Sequence, residues 1–403
     1  MEDAGDILAE DRPTVAGGLA GSGRECRQPS VEVDELFDVQ LGVDDVPWSV
    51  RDPITRRVRG SNALPGAPVH SQCPTIGGVN ARFEAARSRA DRERVRHGLP
   101  EAAAADLGVI GGSGLYEIEG LRDLVEVRPT TPFGEPSDAI VVGRLGETRI
   151  AFLPRHGRGH RLAPSEVPFR ANLYALKLLG VGRVVAVSAC GSMREEIRPR
   201  DVLIPDQFVD RTKDRPATFF GRGIVVHVAF ADPVCPVLSS RLADEADRAF
   251  AELNGERVET PEARRVHRGG SYLAIEGPQF STRAESLLYR SWGVSVIGMT
   301  GLPEAKLARE AELCYGMLAY ATDYDCWHET EEAVTVAQVV ANLGANVSSA
   351  KAILRRLAES PLPRDRDDCG CASALSGAVQ TSREAIDHDR AKELRLLLGD
   401  EFD

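Results

Sequence analysis

Short apolar runs that lead directly into glycine or polar clusters are the feature that most constrains the fold of this chain. The most apolar run, residues 183–188, is continuous in the way that is typical of a strand buried on both faces. Segments with helical spacing of apolar residues separate such runs. Strands that alternate with helices predict an α/β domain with a largely parallel or mixed sheet. The strand candidates are residues 107–110, 139–142, 149–153, 183–188, 201–205, 295–299 and 316–322, and the helix candidates are residues 169–179, 239–252, 303–314, 337–358 and 389–398.

The first hundred of the 403 residues differ from the rest. The first fifty are acidic with little apolar periodicity, and the next fifty are basic and rich in proline and glycine before an arginine-rich run at 81–97. Such a composition buries too little apolar surface to offset the entropy of ordering the chain. We therefore expect a mostly disordered extension over residues 1–106, followed by one folded domain over 107–403 that includes the C-terminal helices.

Two explanations of this extension stay open. It is either a regulatory tail or the product of a start codon assigned upstream of a protein that begins near Leu99. Mass spectrometry of the native N-terminus distinguishes them, because peptides covering residues 31–51 exclude the second explanation.

Charge and composition exclude several classes of protein. A formal net charge of -12 argues against general nucleic-acid binding, although it leaves room for a local cationic pocket. No apolar run reaches the roughly 18–20 residues of a membrane span, and the acidic N-terminus does not resemble a signal peptide. Eight cysteines are too few for a disulfide scaffold in a chain of this length. We expect a cytoplasmic protein with reduced thiols.

Five polar or glycine-rich clusters follow strand candidates, which is where ligands bind in α/β folds. Glycines allow backbone N–H groups to approach an anion, and Arg155 beside His156 suits bidentate recognition of phosphate. The alternatives are a plain tight turn at residues 111–114 and a surface loop at residues 153–160. His156 and His160 also have the i, i+4 spacing of a metal site, but the intervening glycines oppose a helix. The clusters are residues 111–114, 153–160, 188–192, 297–301 and 321–327.

The last cluster holds two carboxylates, Asp323 and Asp325, which strand alternation places on the same side. Such a pair can act as acid and base, hold a metal as in D-x-D glycosyltransferases, or bind the edge of a heterocycle. Solvated acids in a turn are the alternative. If the two carboxylates lie close together, one of them keeps its proton. With the anion-binding clusters, the pair predicts a substrate that has phosphate at one end and a base at the other, but no particular reaction.

Seven segments, in order between about residues 107 and 340, carry a more specific signal. They are Gly111-Gly112-Ser113-Gly114-Leu115, Thr131-Pro132-Phe133-Gly134, Arg155-His156-Gly157, Ser188-Ala189-Cys190-Gly191-Ser192, Ile275-Glu276-Gly277-Pro278-Gln279-Phe280, Met299-Thr300 and Ala321-Thr322-Asp323-Tyr324-Asp325-Cys326-Trp327. In these segments the chain resembles the S-methyl-5'-thioadenosine phosphorylases of the purine nucleoside phosphorylase superfamily. The resemblance implies a nucleoside phosphorylase fold, with a mixed central sheet flanked by helices, and a homotrimer. It also implies phosphate-dependent cleavage of methylthioadenosine to adenine and 5-methylthioribose 1-phosphate. Phosphate is then a co-substrate, and neither a metal nor an organic cofactor is required.

The same resemblance assigns roles to individual residues. Asp323 corresponds to the group that protonates N7 of the purine, and Asp325 to the acceptor of its 6-amino group, with Tyr324 between them in the substrate-binding segment. Met299 corresponds to the residue that packs on the ribose and Phe280 to the residue against the base. The phosphate site corresponds to Ser113, Arg155, His156, Ser188, Ala189 and Thr300. Ser281 stands where 6-oxopurine phosphorylases carry glutamate, His227 corresponds to a residue lent by a neighbouring subunit, and Val334 and Val336 correspond to residues that line the alkylthio pocket.

Two other functions remain possible from the sequence. Gly298 stands where some relatives have asparagine, and residues 299–303 resemble the methylthioinosine-cleaving branch, so a 6-oxopurine or methylthioinosine phosphorylase is the second enzyme hypothesis. A catalytically silent nucleoside-binding module is the hypothesis from another class. Cys369-Gly370-Cys371 resembles a C-x-C element of some thermophilic members, which we interpret as two thiols with a disulfide as the alternative.

Overall fold

Eight helices and eleven strands make up the regular structure of the described residues. The computed structural model describes residues 77–112, 114–115, 117–257, 260, 262–328, 336–360, 363 and 369–399. The helices are α1 (Gly77–Arg96), α2 (Phe169–Leu178), α3 (Pro236–Asn254), α4 (Arg283–Ser291), α5 (Gly301–Glu310), α6 (Val336–Glu359), α7 (His388–Glu393) and α8 (Arg395–Leu398). The strands are β1 (Leu107–Gly111), β2 (Arg122–Val127), β3 (Ile140–Leu145), β4 (Thr148–Pro154), β5 (Arg183–Ser192), β6 (Val202–Ile204), β7 (Gln207–Arg211), β8 (Val266–Arg268), β9 (Ser271–Ile275), β10 (Val296–Gly298) and β11 (Cys314–Asp323).

The strands form one mixed sheet, as predicted, in which β5 is the central member. The main path runs β2-β3-β4-β1-β5-β10-β9-β7, and β11 pairs with both β5 and β6. β5 is parallel to β1 and β11, whereas its last two residues pair antiparallel with β10. The ten residues of β5 therefore connect most of the elements that lead into the predicted clusters.

Helices cover both faces of the sheet. One apolar cluster contains residues of α3 and α6 packed against β11 and β6, and another contains residues of α2 and α5. Gly316 of β11 allows α3 to approach closely, because a Cβ there would lie 2.8 Å from Leu242 Cδ1 and 3.1 Å from Leu238 Cγ. Each large side chain buried in these layers contributes roughly 1.5–3 kcal/mol. The sheet is thus a rigid support for the loops at its edge.

Helix α1 extends the folded region before the predicted boundary at residue 107. Ala90 on this helix is 2% exposed, and the Nε of Arg395 in α8 lies 2.8 Å from Glu93 Oε1. The sequence shows no continuous apolar face in this run, and α1 is attached instead through a small side chain and charge pairs. Residues 1–76, which make up most of the predicted extension, lie outside the described residues.

All seven predicted strands are present with shifted ends, and the elements that were missed are short or exposed. The predicted helix at 389–398 is divided into α7 and α8. No helix among the described residues is long and apolar enough to cross a membrane.

Candidate active site

The five predicted clusters converge at one edge of the sheet. Gly111 at the end of β1 pairs with Pro154, and its carbonyl accepts the N–H of Arg155 at 2.9 Å. Gly191 near the end of β5 pairs with both Asp323 and Ile297. Because β1, β4, β5 and β11 are parallel, their carboxyl ends bring the following loops together. The shared edge confirms that the clusters belong to one region, rather than to separate surface turns.

Arg155 is buried at this edge and forms an ion pair with Glu304 of α5. Its Nε and Nη2 lie 2.9 and 3.0 Å from the two carboxylate oxygens, and Nη1 donates to Val187 O at 2.9 Å. A further bond from Nη2 to Ile110 O means that four of the five guanidinium N–H groups are used, which leaves one for a ligand. Burial opposes the charge of Arg155, but Glu304 outweighs it and raises the pKa of the guanidinium.

His156 is neutral near pH 7. Burial, followed by the neighbouring charge of Arg155, lowers its pKa to about 4. Nδ1 lies 2.8 Å from the carbonyl oxygen of Leu162, so Nδ1 carries the proton and Nε2 is the acceptor of the neutral ring. The rings of His156 and His160 stack at 4.4 Å instead of converging on a common point, which does not suit the metal-binding alternative.

A single tyrosine hydroxyl connects two predicted phosphate-site residues. Ser188 Oγ lies 3.2 Å from Tyr272 Oη, and the N–H of Thr300 donates to the same oxygen at 3.4 Å. Gly298 is required nearby, because a Cβ there would lie 2.1 Å from Tyr272 Oη. Ala189 is exposed, whereas the preceding residue, Ser188, is only 6% exposed. The exposed position of Ala189 marks an open space above the middle of the sheet. Ser113, the remaining predicted member, lies outside the described residues.

Asp323 and Asp325 are adjacent, but a turn and not strand alternation holds them together. The register of β11 shifts between Ala321 and Asp323, and Asp325 has a positive φ of 46°. Asp323 Oδ1 accepts the backbone N–H of Asp325 at 2.9 Å, and its Oδ2 accepts the Thr322 hydroxyl at 2.6 Å. The two carboxylates are neighbours, but strand alternation is the wrong reason, because β11 ends at Asp323 and Asp325 begins a 3₁₀ turn.

The environment of Asp325 disfavours the charged form of its carboxyl. Burial raises the pKa of Asp325, and the charge of Asp323 adds to the rise. The Ser286 hydroxyl, 2.5 Å from Asp325 Oδ2, acts in the opposite direction. The two carboxylates also lie against β5, since a Cβ on Gly191 would be 3.2 Å from Asp323 Oδ1 and 3.1 Å from Asp325 Cβ.

The loop after β9 lies beside the carboxylates. Cys326 Sγ donates to Ser281 O at 3.5 Å, and the Ser281 hydroxyl is a buried donor without a hydrogen-bond partner. Phe280 is 84% exposed, which is far above the exposure of other aromatic side chains in the described core. Met299 lies near the same loop, because a Cβ on Gly277 would be 2.6 Å from its Sδ. An unpartnered hydroxyl and an exposed ring suit the binding of an aromatic heterocycle.

The structure places other predicted residues away from this cavity or outside its description. Tyr324 is 9% exposed, donates to Glu195 O at 3.2 Å and packs against Trp327, so its side chain belongs to an apolar cluster. His227 is exposed, on a segment paired with Ala378 O through its backbone N–H. Val334 lies outside the described residues, and Val336 begins α6 with a side chain that is not described.

Arg215 is a site residue that the sequence did not reveal. Its Nη1 donates to Met299 O at 2.6 Å, its Nε pairs with Glu276 at 3.1 Å, and Nη2 donates to the backbone oxygen of Glu276. It thus fastens the loop after β9 to the loop after β10. It stands in an irregular segment without a motif, and its partners are distant in sequence, so no local signal identifies it. Glu304, which holds Arg155, was missed for the same reason. Thr322, which holds Asp323, is its neighbour in the chain and lies in the segment 321–327, but no role was assigned to it.

Comparisons with known proteins agree with one another. Residues 106–359 match the phosphorylase superfamily. An S-methyl-5'-thioadenosine phosphorylase of Geobacter sulfurreducens is 55% identical over 294 residues, which are 73% of this chain and 98% of that protein. The corresponding protein of Gloeobacter violaceus is 54% identical over 73% of this chain and 95% of its own length.

Solved structures give the same result. A methylthioadenosine phosphorylase from an Antarctic soil metagenomic library is 46% identical with a TM-score of 0.66, over 73% of this chain and 99% of its own. The methylthioadenosine phosphorylase of Schistosoma mansoni, in complex with adenine, is 34% identical with a TM-score of 0.61, over 68% of this chain and 99% of its own.

Proposed function

The chain belongs to the S-methyl-5'-thioadenosine phosphorylase family of the phosphorylase superfamily, and we propose that the residues at the carboxyl ends of β4, β5, β10 and β11 carry out its reaction. The enzyme is a pentosyltransferase that cleaves S-methyl-5'-thioadenosine with phosphate, giving adenine and 5-methylthioribose 1-phosphate. The observation that carries the assignment of residues is the position of the Arg155 loop and the Asp323/Asp325 pair along one strand, β5. From Ser188 to Gly191 this strand advances about 10 Å, a distance that a nucleoside and a phosphate can occupy.

Phosphate binds at the Arg155 end of this cavity. Arg155 offers one remaining N–H, and Ser188 and Thr300 each offer a hydroxyl. His156 is neutral, so its Nε2 accepts a hydrogen bond from the hydroxyl of a phosphate monoanion. Ala189 leaves space above β5, and Ser113 completes the set from the loop after β1. Attack by the held oxyanion on the anomeric carbon follows.

The purine binds at the other end, between the two aspartates and the loop after β9. Breaking the N-glycosidic bond builds negative charge on the leaving purine, and a proton delivered to N7 by Asp323 stabilises it. Burial, with the charge of Asp323, raises the pKa of Asp325. Asp325 accepts from the 6-amino group, and the unpartnered Ser281 hydroxyl donates to N1, where a 6-oxopurine enzyme would present a glutamate.

The remaining roles concern the sugar and the assembly. Met299 packs on the ribose, Phe280 covers the base, and Val334 with Val336 lines the alkylthio pocket. Tyr324 supports the two aspartates from the apolar cluster behind them. The enzyme acts as a homotrimer in the cytoplasm, in which exposed His227 of one subunit reaches the 5' end of a neighbouring site. The reaction itself uses neither a metal nor an organic cofactor.

The alternative is cleavage of a 6-oxopurine nucleoside or methylthioinosine, which the residues 299–303 favour by resemblance. A deprotonated Asp325 repels a 6-oxo group, and a buried mismatch of this kind costs on the order of 10⁴-fold in kcat/KM. Phosphate-dependent cleavage of methylthioadenosine and methylthioinosine, measured side by side, decides between them. A preference for the inosine-type substrate would overturn the assignment of Asp325.

Replacement of the proton donor tests the mechanism. Asp323→Ala should lower kcat by about 10²–10⁴-fold, because general acid catalysis contributes that much. Circular dichroism should show an unchanged fold, and Asp389→Ala, at an exposed carboxylate of α7, is the matched control. Near-normal turnover of Asp323→Ala would show that another group protonates the purine. Purine binding by the wild-type enzyme without any turnover would support the silent binding module instead.

A further inference from the structure

Four cysteine side chains meet at the amino end of β11, the end opposite the proposed active site. Their sulfur atoms, from Cys235, Cys314, Cys369 and Cys371, all lie within 4.8 Å of one another. Cys314 is the first residue of β11 and Asp323 the last, which separates the two regions by about 30 Å along the strand. The proposed reaction uses none of these thiols, so the cluster requires its own explanation.

The spacing of the sulfurs suits a tetrahedral metal ion. Zinc binds thiolate at about 2.3 Å, which places the sulfurs of a tetrahedral site about 3.8 Å apart. Cys314 Sγ and Cys369 Sγ are 3.5 Å apart, and the remaining distances do not exceed 4.8 Å. The bond between two sulfurs in a disulfide is much shorter, about 2.05 Å. Four sulfurs at mutual contact therefore have the geometry of a ligand cage.

Rigid elements hold the ligands in place. Cys235 precedes α3, its Sγ accepts the N–H of Leu238 at 3.5 Å, and its own N–H donates to Tyr315 O at 2.8 Å. Cys314 is fixed in the central sheet, and Cys235, Cys314 and Cys371 are 1%, 1% and 3% exposed. Only small movements of the Cys369–Cys371 segment are needed for coordination.

We propose that these four cysteines bind one structural Zn²⁺ ion. A shell of four thiolates leaves no open position for a substrate, so the ion stabilises the fold and takes no part in phosphorolysis. An open cleft of about 700 Å³, lined in part by Cys371 and Pro236, gives the ion a route from solvent. Each cysteine loses its thiol proton on binding, and no oxidant is required.

The ion attaches the C-terminal segment to the body of the domain. Two ligands come from α3 and β11, and the other two come from the start of residues 369–399. Further along this segment Val379 pairs with Val226, and Ala378 O accepts the N–H of His227. Loss of the ion should therefore weaken the support of His227, the residue that is proposed to reach a neighbouring subunit.

Metal content of the full-length protein tests the proposal. Protein expressed in a bacterial cytosol with added zinc, and purified without chelator, should contain about one zinc per chain by elemental analysis. All eight cysteines should react with a thiol reagent after denaturation in chelator. A protein without zinc that shows four fewer reactive thiols contains two disulfides, and would overturn the proposal. Eight reactive thiols without zinc, and without uptake of added zinc, would overturn it equally.

Matched variants and a spectroscopic probe locate the site. Cys369→Ser, at the most accessible ligand, should reduce the bound zinc at least fivefold, whereas Cys190→Ala removes a buried thiol outside the cluster and should leave it unchanged. Replacement of zinc by Co²⁺ should produce the sulfur-to-cobalt charge-transfer bands of tetrahedral thiolate coordination. Octahedral-type cobalt spectra, or equal zinc loss in both variants, would contradict a four-cysteine site. These readouts do not depend on phosphorolysis, so a failure of the zinc proposal can be distinguished from a failure of the proposed function.

Discussion

At the scale of single residues, the carboxyl of Asp325 is kept in an environment that disfavours its charge. Burial and the neighbouring Asp323 raise its pKa, while Ser286 compensates only in part. A carboxyl whose pKa is raised on folding contributes stability below its unfolded pKa, and that stability is lost as the pH rises through the folded pKa. Asp325 therefore lowers the free energy of unfolding at neutral pH. A residue selected for stability alone would not have this effect.

Asp325→Asn should remove this loss of stability. The amide can still accept from Ser286, so the free energy of unfolding of the variant should exceed that of the wild type at pH 7 and equal it at pH 3. Because an amide also donates to a 6-oxo group, kcat/KM for methylthioadenosine should fall by about 10²-fold or more, with a smaller loss for methylthioinosine. Denaturant titrations at both pH values and parallel assays measure the two effects. A variant less stable than wild type at pH 7 would contradict the sign of the effect.

For His156, the predicted dependence of the free energy of unfolding on pH has the opposite sign. Its pKa falls from about 6.5 to about 4 on folding, so the neutral ring contributes stability above pH 6.5 that is lost as the pH falls towards 4. Relative to His156→Gln, the wild type should lose on the order of 2 kcal/mol between pH 7.5 and pH 4, a value reduced for solvent screening. The curve of His388→Gln, at an exposed histidine, should run parallel to that of the wild type. Equal pH dependence in all three proteins would show that His156 is solvated.

At the scale of elements, the ion pair between Arg155 and Glu304 joins the end of β4 to α5. Both side chains are almost fully buried, and Tyr315 donates a further bond to Glu304 at 2.9 Å. The carboxylate therefore fixes the orientation of the arginine that we assign to phosphate. It also fixes the position of α5, which follows Thr300 in the chain.

Glu304→Ala should destabilise the domain by about 3–5 kcal/mol, because it leaves a buried guanidinium without its counter-charge. The exposed pair of Arg355 and Glu359 in α6 is the natural control, and Glu359→Ala should cost less than about 1 kcal/mol. Urea unfolding of the two variants measures the difference. If both substitutions cost the same, solvent reaches Arg155 in the native state.

The elements also show what sequence reasoning can and cannot recover. Buried strands such as β5 and β11 were predicted because their apolar runs are local, and the polar clusters after them were predicted because parallel strands end at one edge. β2 was not predicted because most of its side chains are exposed, so its sequence shows no clear apolar pattern. The turn that joins Asp323 to Asp325, the clamp formed by Arg215 and the hydroxyl of Tyr272 depend on partners distant in the chain. No spacing rule encodes such contacts.

At the scale of the whole molecule, the exposed apolar surface is consistent with the proposed homotrimer. Leu287, Leu288 and Trp292 lie on or next to α4, which follows the Phe280 loop, and each is about half exposed. Val225 is 49% exposed two residues before His227. Apolar side chains grouped in this way commonly mark a protein–protein interface.

Light scattering after size exclusion should give about three times the chain mass of 43.6 kDa. His227→Ala should preserve this mass and raise KM for methylthioadenosine by about fivefold, since one lost hydrogen bond to a ligand is worth on the order of 1 kcal/mol. Val225→Ala, which keeps the histidine, is the control for KM. A monomer with full activity would show that each site is complete within one chain.

The length of β5 has a consequence for how such an enzyme can change its specificity. One strand supports the oxyanion at one point and the leaving group at another, so backbone geometry sets the interval between nucleophile and acid. Substitutions in the loops after β9 and β11 can therefore alter which heterocycle departs without disturbing how the attacking group is aimed. We expect laboratory evolution towards new bases to accumulate changes in those two loops and to spare the strand that spans the cavity.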